Sequence, residues 1–102
     1  MADTPDTPDV IDEPQRSRFR YSEAGTDAQL VYRAESGRLI LVHTEVPDTM
    51  AGRGVAGRLV RAAVERAERT GETVVPLCPY ARKWLGDHPD VVAGMAVDWT
   101  EP

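Results

Sequence analysis

The sequence predicts one α/β domain: a mostly antiparallel sheet, a single long crossover helix, and a last strand lying parallel to its neighbour. Three observations lead there. Three runs with strand patterning lie between residues 16 and 46. A glycine cluster then opens a helix of about 17 residues whose apolar positions recur three and four apart. Finally, an apolar run returns at 73–78, and a strand reached through a crossover helix runs parallel to the one it left. A chain of 102 residues has room for one small domain.

Taken in order, residues 1–15 read as a disordered acidic tail and 16–102 as the folded domain. Asp3, Asp6, Asp9, Asp12 and Glu13 precede the first base, Arg16, and Pro5, Pro8 and Pro14 punctuate them. So little apolar surface cannot offset the entropy of ordering. In "RSRFRYSE" Phe19 and Tyr21 alternate with Arg18, Arg20 and Ser22, the period of a half-buried strand. "EAGTD" makes a turn into "AQLVYRAE" (28–35), and Ser36–Gly37 form a tight hairpin into "RLILVHTEV" (38–46), stopped by Pro47 and Asp48. In the helix, Ala56, Leu59, Val60, Ala63, Val64 and Ala67 make one apolar stripe, and Gly71 ends it. "TVVPLC" is a short buried strand, and Pro79 starts a second helix. The segment after Pro89 reads as an irregular turn or tail.

Composition excludes several classes. Hydrophobic residues make up 41% and charged residues 28%, the profile of a soluble globule. No apolar run reaches the roughly 20 residues of a membrane span, and the acidic start is unlike a secretory signal. Cys78 is the single cysteine, so no internal disulfide can form, and a reducing cytoplasm is the expected location. The formal net charge of −5 is that of the tail. Between Pro47 and Gly71 five arginines oppose Asp48, Glu65 and Glu68 without aromatic interleaving, so no nucleic-acid partner is expected.

The stretch "AGRGVAG" needs its own account. Gly52, Gly54 and Gly57 match the dinucleotide fingerprint, yet that fold places its glycines after the first strand and needs several further βα units. Three strands come first here, and too little chain follows. A P-loop fails too, because Arg58 and Leu59 stand where Lys and a hydroxyl residue belong. What both share survives: glycines that admit a phosphate to the backbone, and a helix N-terminus with free N–H groups. A glycine-rich helix start that binds nothing is the alternative.

The run "HTEVP" (His43–Pro47), the loop Gly52–Gly57, "PLCP" (Pro76–Pro79) and His88–Pro89 together resemble a family of very small proteins in the GNAT superfamily of N-acetyltransferases. The resemblance covers about residues 18–90. It implies a compact acetyltransferase fold in which the strand and helix around the glycine loop splay from the strand at 73–78, with acetyl-CoA in the gap. It further implies that Gly52, Arg53, Gly54, Val55, Ala56 and Gly57 hold the CoA pyrophosphate, and that the backbone of Val46 pairs with the pantetheine arm. One position departs from the superfamily loop: Ala51 stands where Arg or Gln is usual, so the grip falls to the backbone and to Arg53.

For the chemistry, the resemblance makes Cys78 a suspected nucleophile that would form an acetyl-enzyme; the other reading is a buried small hydrophobe, with acetyl passing directly to the amine. His43 and Glu45, two apart on one strand, share a face and are candidate bases, or else they fix the strand end by hydrogen bonds. Tyr80 is a candidate donor to the leaving thiolate, and His88 reads as a turn residue. No metal site is expected, since none of these residues has a usual zinc spacing. The expected partners are acetyl-CoA and an amine acceptor, with the chain a monomer or weak homodimer, Trp84 or Trp99 being available to cover a partner. A non-catalytic acyl-CoA-binding or interaction module is the competing function.

Overall fold

The computed structural model describes residues 10–99. Its strands are β1 (Val10–Glu13), β2 (Arg18–Glu23), β3 (Thr26–Glu35), β4 (Arg38–Glu45) and β5 (Thr73–Pro76), and its helices are α1 (Val55–Thr70) and α2 (Pro79–Asp87). The strands form one sheet in chain order. The first four are antiparallel, and β5 joins β4 in parallel after the α1 crossover, with Leu39 opposite Val74 and Leu41 opposite Pro76. The predicted α/β class therefore holds.

Local chemistry accounts for most of this. The β2–β3 and β3–β4 hairpins each turn on two residues of positive φ, Ala24–Gly25 and Ser36–Gly37, the geometry whose twist matches the flanking strands. On one side of the sheet α1 lays Leu59, Val60, Ala63, Val64 and Ala67 over Phe19, Leu30, Tyr32, Leu39 and Leu41, all essentially buried. Phe19 and Tyr32 meet ring against ring at 5.0 Å. Gly71 closes α1 in the left-handed conformation, its N–H donating to the Ala67 carbonyl at 2.8 Å. Past α2, a short 3-10 turn at Pro89–Val92 leads the chain back to the sheet. There Val97 bridges Val74, so this segment is a parallel edge rather than a loose tail.

The acidic start needs correction. Residues 1–9 lie outside the described part, but 10–15 are not a solvated tail: Val10–Glu13 pair with β2, and Pro14–Arg16 form a 3-10 turn. The acids make this possible. Asp12 accepts from the Tyr32 hydroxyl and from Arg66 Nη1, while Glu13 accepts from Arg18 Nε at 2.7 Å and Arg20 Nε at 2.9 Å. The Arg18 hydrogen bond holds the Glu13 carboxyl below its ordinary range. Ladder hydrogen bonds and cross-strand ion pairs replace the apolar burial that composition lacks.

One irregularity positions the site. Tyr32 pairs with Leu41 but Val31 pairs with His43, so Val42 has no opposite residue. This is a β-bulge, and the side-chain alternation slips by one across it. Leu39 and Leu41 face the helix side before it, and Thr44, opposite the buried Leu30, faces that side after it.

Candidate functional site

Beyond Leu41 the two parallel neighbours part. The N–H groups of Leu77 and Cys78 both donate to the Leu41 carbonyl, at 3.0 and 2.8 Å, and the chain then turns into α2. The β4 strand runs on to Glu45, while its register with β5 ends at Leu41–Pro76. The gap opens onto a cavity of about 450 Å³. Thr44 and Val46 of β4 and its extension form one wall, and Tyr80 of α2 contributes to another. Met50, Ala51, Gly52, Gly54, Val55 and Ala56 complete it from the glycine loop and the first turn of α1.

The floor at the loop is backbone. Gly52 and Gly54 both have φ near +80°, which a residue with a Cβ adopts only with strain, and the space above each is open. Helix α1 begins without a side-chain cap, so the N–H groups of Val55, Ala56 and Gly57 lack an acceptor one turn back. Those donors and the positive end of the helix dipole suit an anion. The wall made by Val46, Met50 and Val55 is apolar and suits an uncharged chain.

The predicted residues divide between this cavity and elsewhere. Val46, Gly52, Gly54, Val55 and Ala56 line it. Gly57 is buried, and its Cα faces the Trp84 indole: an added Cβ would stand 2.6 Å from Trp84 Nε1. Trp84 stacks on His88 at 4.1 Å, Arg61 covers its ring, and His88 Nδ1 lies 2.8 Å from the Trp84 carbonyl oxygen. The "HP" motif and the third glycine thus meet in one packing unit, and Trp84 is engaged within the chain. Trp99 remains 38% exposed, with Arg82 over its ring.

Arg53 turns from the cavity to Glu23, donating from Nη1 and Nη2 at 2.6 and 2.7 Å. These bonds, with a third from the Tyr21 hydroxyl, hold the Glu23 carboxyl down to about 2. The charge expected to offset Ala51 is therefore matched by a carboxylate, and the cavity lining at the loop is left to its backbone and to uncharged side chains.

His43 and Glu45 do share a face, 3.0 Å apart, but it is the face opposite Thr44, and both are exposed. Gln29 donates to Glu45 at 2.8 Å and accepts from Arg18, which also holds Glu13, so the pair ends a polar chain across the back of the sheet. The Gln29 bond, more than His43, lowers the Glu45 carboxyl. The bulge at Val42 is why the structure does not bring this pair to the cavity.

Cys78 ends the turn after β5, only 4% exposed, with Sγ 3.1 Å from Thr44 Oγ1. Thr44 lines the cavity and reaches the thiol, a residue that sequence reasoning passed over; only a signal for the bulge could have shown it. Partial desolvation of its hydroxyl end, and to a lesser degree the neighbouring Cys78, raises Tyr80 above the ordinary phenol range although the residue is 40% exposed, so Tyr80 stays protonated at neutral pH. Among the described residues no group of three or more His, Cys, Asp or Glu side chains is arranged to hold a metal ion. No described helix is long and apolar enough to cross a membrane.

Comparison with known proteins decides the family. The GCN5-related N-acetyl-transferase family profile matches residues 18–94, from the start of β2 to the chain's return after α2. The chain belongs to that family. Protein NATD1 of Mus musculus is 33% identical over 78 residues, covering 74% of this chain and 71% of the mouse protein. Protein NATD1 of Gallus gallus and of Homo sapiens are each 35% identical over 63 residues, or 61% of this chain. Those alignments span 57% of the chicken protein and 56% of the human one. In this N-acetyltransferase-family domain the described residues form two α-helices and five strands, and Thr44 sets the cavity beside the cysteine turn.

Proposed function

We propose that this protein is an N-acetyltransferase that uses acetyl-CoA as acetyl donor and an amine as acceptor, with Cys78 as the residue that takes up the acetyl group. The observation that carries this reading is the cavity itself. An uncapped helix N-terminus, an apolar wall, an open strand edge and a tyrosine held in its protonated form converge there. Its residues fit the co-substrate by chemistry: N–H donors at Val55 and Ala56 for a diphosphate, the backbone at Val46 for amides, and Val46, Met50 and Val55 for methylenes. Bound acetyl-CoA supplies an activated thioester.

The chain's own groups supply position, hydrogen bonds and exclusion of water. The Tyr80 hydroxyl can give a hydrogen bond to the departing sulfur as charge develops on it while keeping its own proton. Cys78, almost buried beside Thr44, is shielded from bulk solvent, which protects a thioester from hydrolysis. A non-catalytic acyl-CoA-binding module is the second reading, favoured by one observation: Cys78 does not itself line the cavity.

Acetyl-CoA at 100 times its Kd should stabilise the fold by about 2.7 kcal/mol. Thermal unfolding with millimolar acetyl-CoA should therefore show a clear rise in Tm, and no shift would overturn CoA binding altogether. Single-turnover intact-mass measurement then separates the two readings. A 42-dalton adduct (roughly the mass of an acetyl group less one hydrogen) that Cys78→Ala abolishes supports the transferase. Stabilisation with no adduct and no transfer to amines supports the module.

A further inference from the structure

We infer that Thr44 is the positioning residue of the cysteine: its hydroxyl aims the Cys78 sulfur at the cavity and passes the thiol proton out of it. This rests on the reading of Cys78 as the acetyl-accepting residue. The geometry is independent of that reading. Cys78 is nearly buried and lies off the cavity surface, whereas Thr44 lines the cavity and touches Sγ at 3.1 Å. Thr44 is there only because the unpaired Val42 slips the alternation of β4 by one residue. An unbulged strand continuing from Leu41 would present His43 on this side and turn the hydroxyl to the other face.

A threonine hydroxyl has one proton to give and lone pairs to accept another, which suits it to link an S–H to a second sulfur. In the acetylation step the Cys78 Sγ–carbonyl carbon bond forms and the carbonyl carbon–CoA sulfur bond breaks. The Sγ proton moves to the Thr44 oxygen as the Thr44 proton moves to the departing CoA sulfur. Thiol and thioester exchange places, no electrons are gained or lost, and Thr44 ends as it began. The bulge thus gives the proton path to Thr44 rather than to the histidine and glutamate on either side of it.

The test uses the full chain with Thr44→Val, which keeps the shape and removes the hydroxyl, and Thr44→Ser, which keeps the hydroxyl. Two probes are followed by intact mass at neutral pH, on samples shown folded by circular dichroism: acetyl-CoA and the neutral thiol reagent iodoacetamide. Thr44→Val should slow alkylation of Cys78 about tenfold, the loss expected for one hydrogen bond to a developing thiolate, and Thr44→Ser should restore it. Acetylation should follow the same order. Equal alkylation rates in all three proteins, or a slow Thr44→Ser, would overturn the role of Thr44. So would a wild-type thiol that stays unmodified until the chain unfolds. If the wild type is alkylated in this order but never acetylated, the positioning role stands and the acetyl-enzyme reading falls.

Discussion

Replacing Gly57 with alanine separates two roles that the glycine fingerprint merges. If Gly57 is glycine for a phosphate, the substitution should weaken CoA binding and leave the fold intact. The structure says the reverse, because the added methyl would stand 2.6 Å from Trp84 Nε1 and 3.3 Å from Cε2. The indole cannot simply step back, being stacked on His88 on one face and covered by Arg61. Overpacking of this kind costs about 1–3 kcal/mol, and the better helix propensity of alanine returns up to about 1 kcal/mol. A net loss of about 1 kcal/mol lowers the Tm of a domain this size by about 4–8 °C. Thermal unfolding by circular dichroism reads the loss, and tryptophan fluorescence reports the displaced indole. A double-mutant cycle sharpens the outcome. In a Trp84→Ala background the clash is gone, so Gly57→Ala should become neutral or stabilising. A Gly57→Ala protein as stable as wild type, or a cycle with no coupling, would refute the packing account.

Two more perturbations probe the frame around the cavity. Arg66 joins Asp12, Tyr32 and Glu72 with its side chain 15% exposed, so Arg66→Ala takes the cation from both acids and leaves each a single hydroxyl donor. It should cost about 2 kcal/mol in urea unfolding, discounted for partial solvent access, and should speed hydrogen exchange along β1; a loss under about 0.5 kcal/mol would show β1 held otherwise. Glu23, held to about 2 in the folded state against 4.5 ordinarily, gives a signed pH dependence. Its contribution is fully present above about 4.5 and is lost as pH falls toward 2. The Tm of wild type should therefore fall relative to Glu23→Gln over that window, and parallel curves would contradict the pairing with Arg53.

Much of this protein was legible in its sequence because the information is local. A tight Ser36–Gly37 turn, a three-and-four apolar stripe and a terminal glycine are written within a few residues of where they act, and β2 to β4, α1 and the parallel return follow from them. The cavity-lining loop at Gly52–Ala56 was legible for the same reason. Contacts between distant residues decided the rest. Asp12 meets Arg66 across 54 positions and turns an acidic stretch into a strand. Arg53 meets Glu23 across 30, which takes its guanidinium from the site. The bulge at Val42 places Thr44, not His43, against a cysteine 34 residues away. A period-two pattern cannot announce its own interruption, since the slip is set by how β3 and β4 pair. The sequence by itself determined β2 to β5, the two α-helices and the place of an uncapped, glycine-rich helix start. Only the tertiary structure decided which side chains look into the cavity, because that choice rests on register.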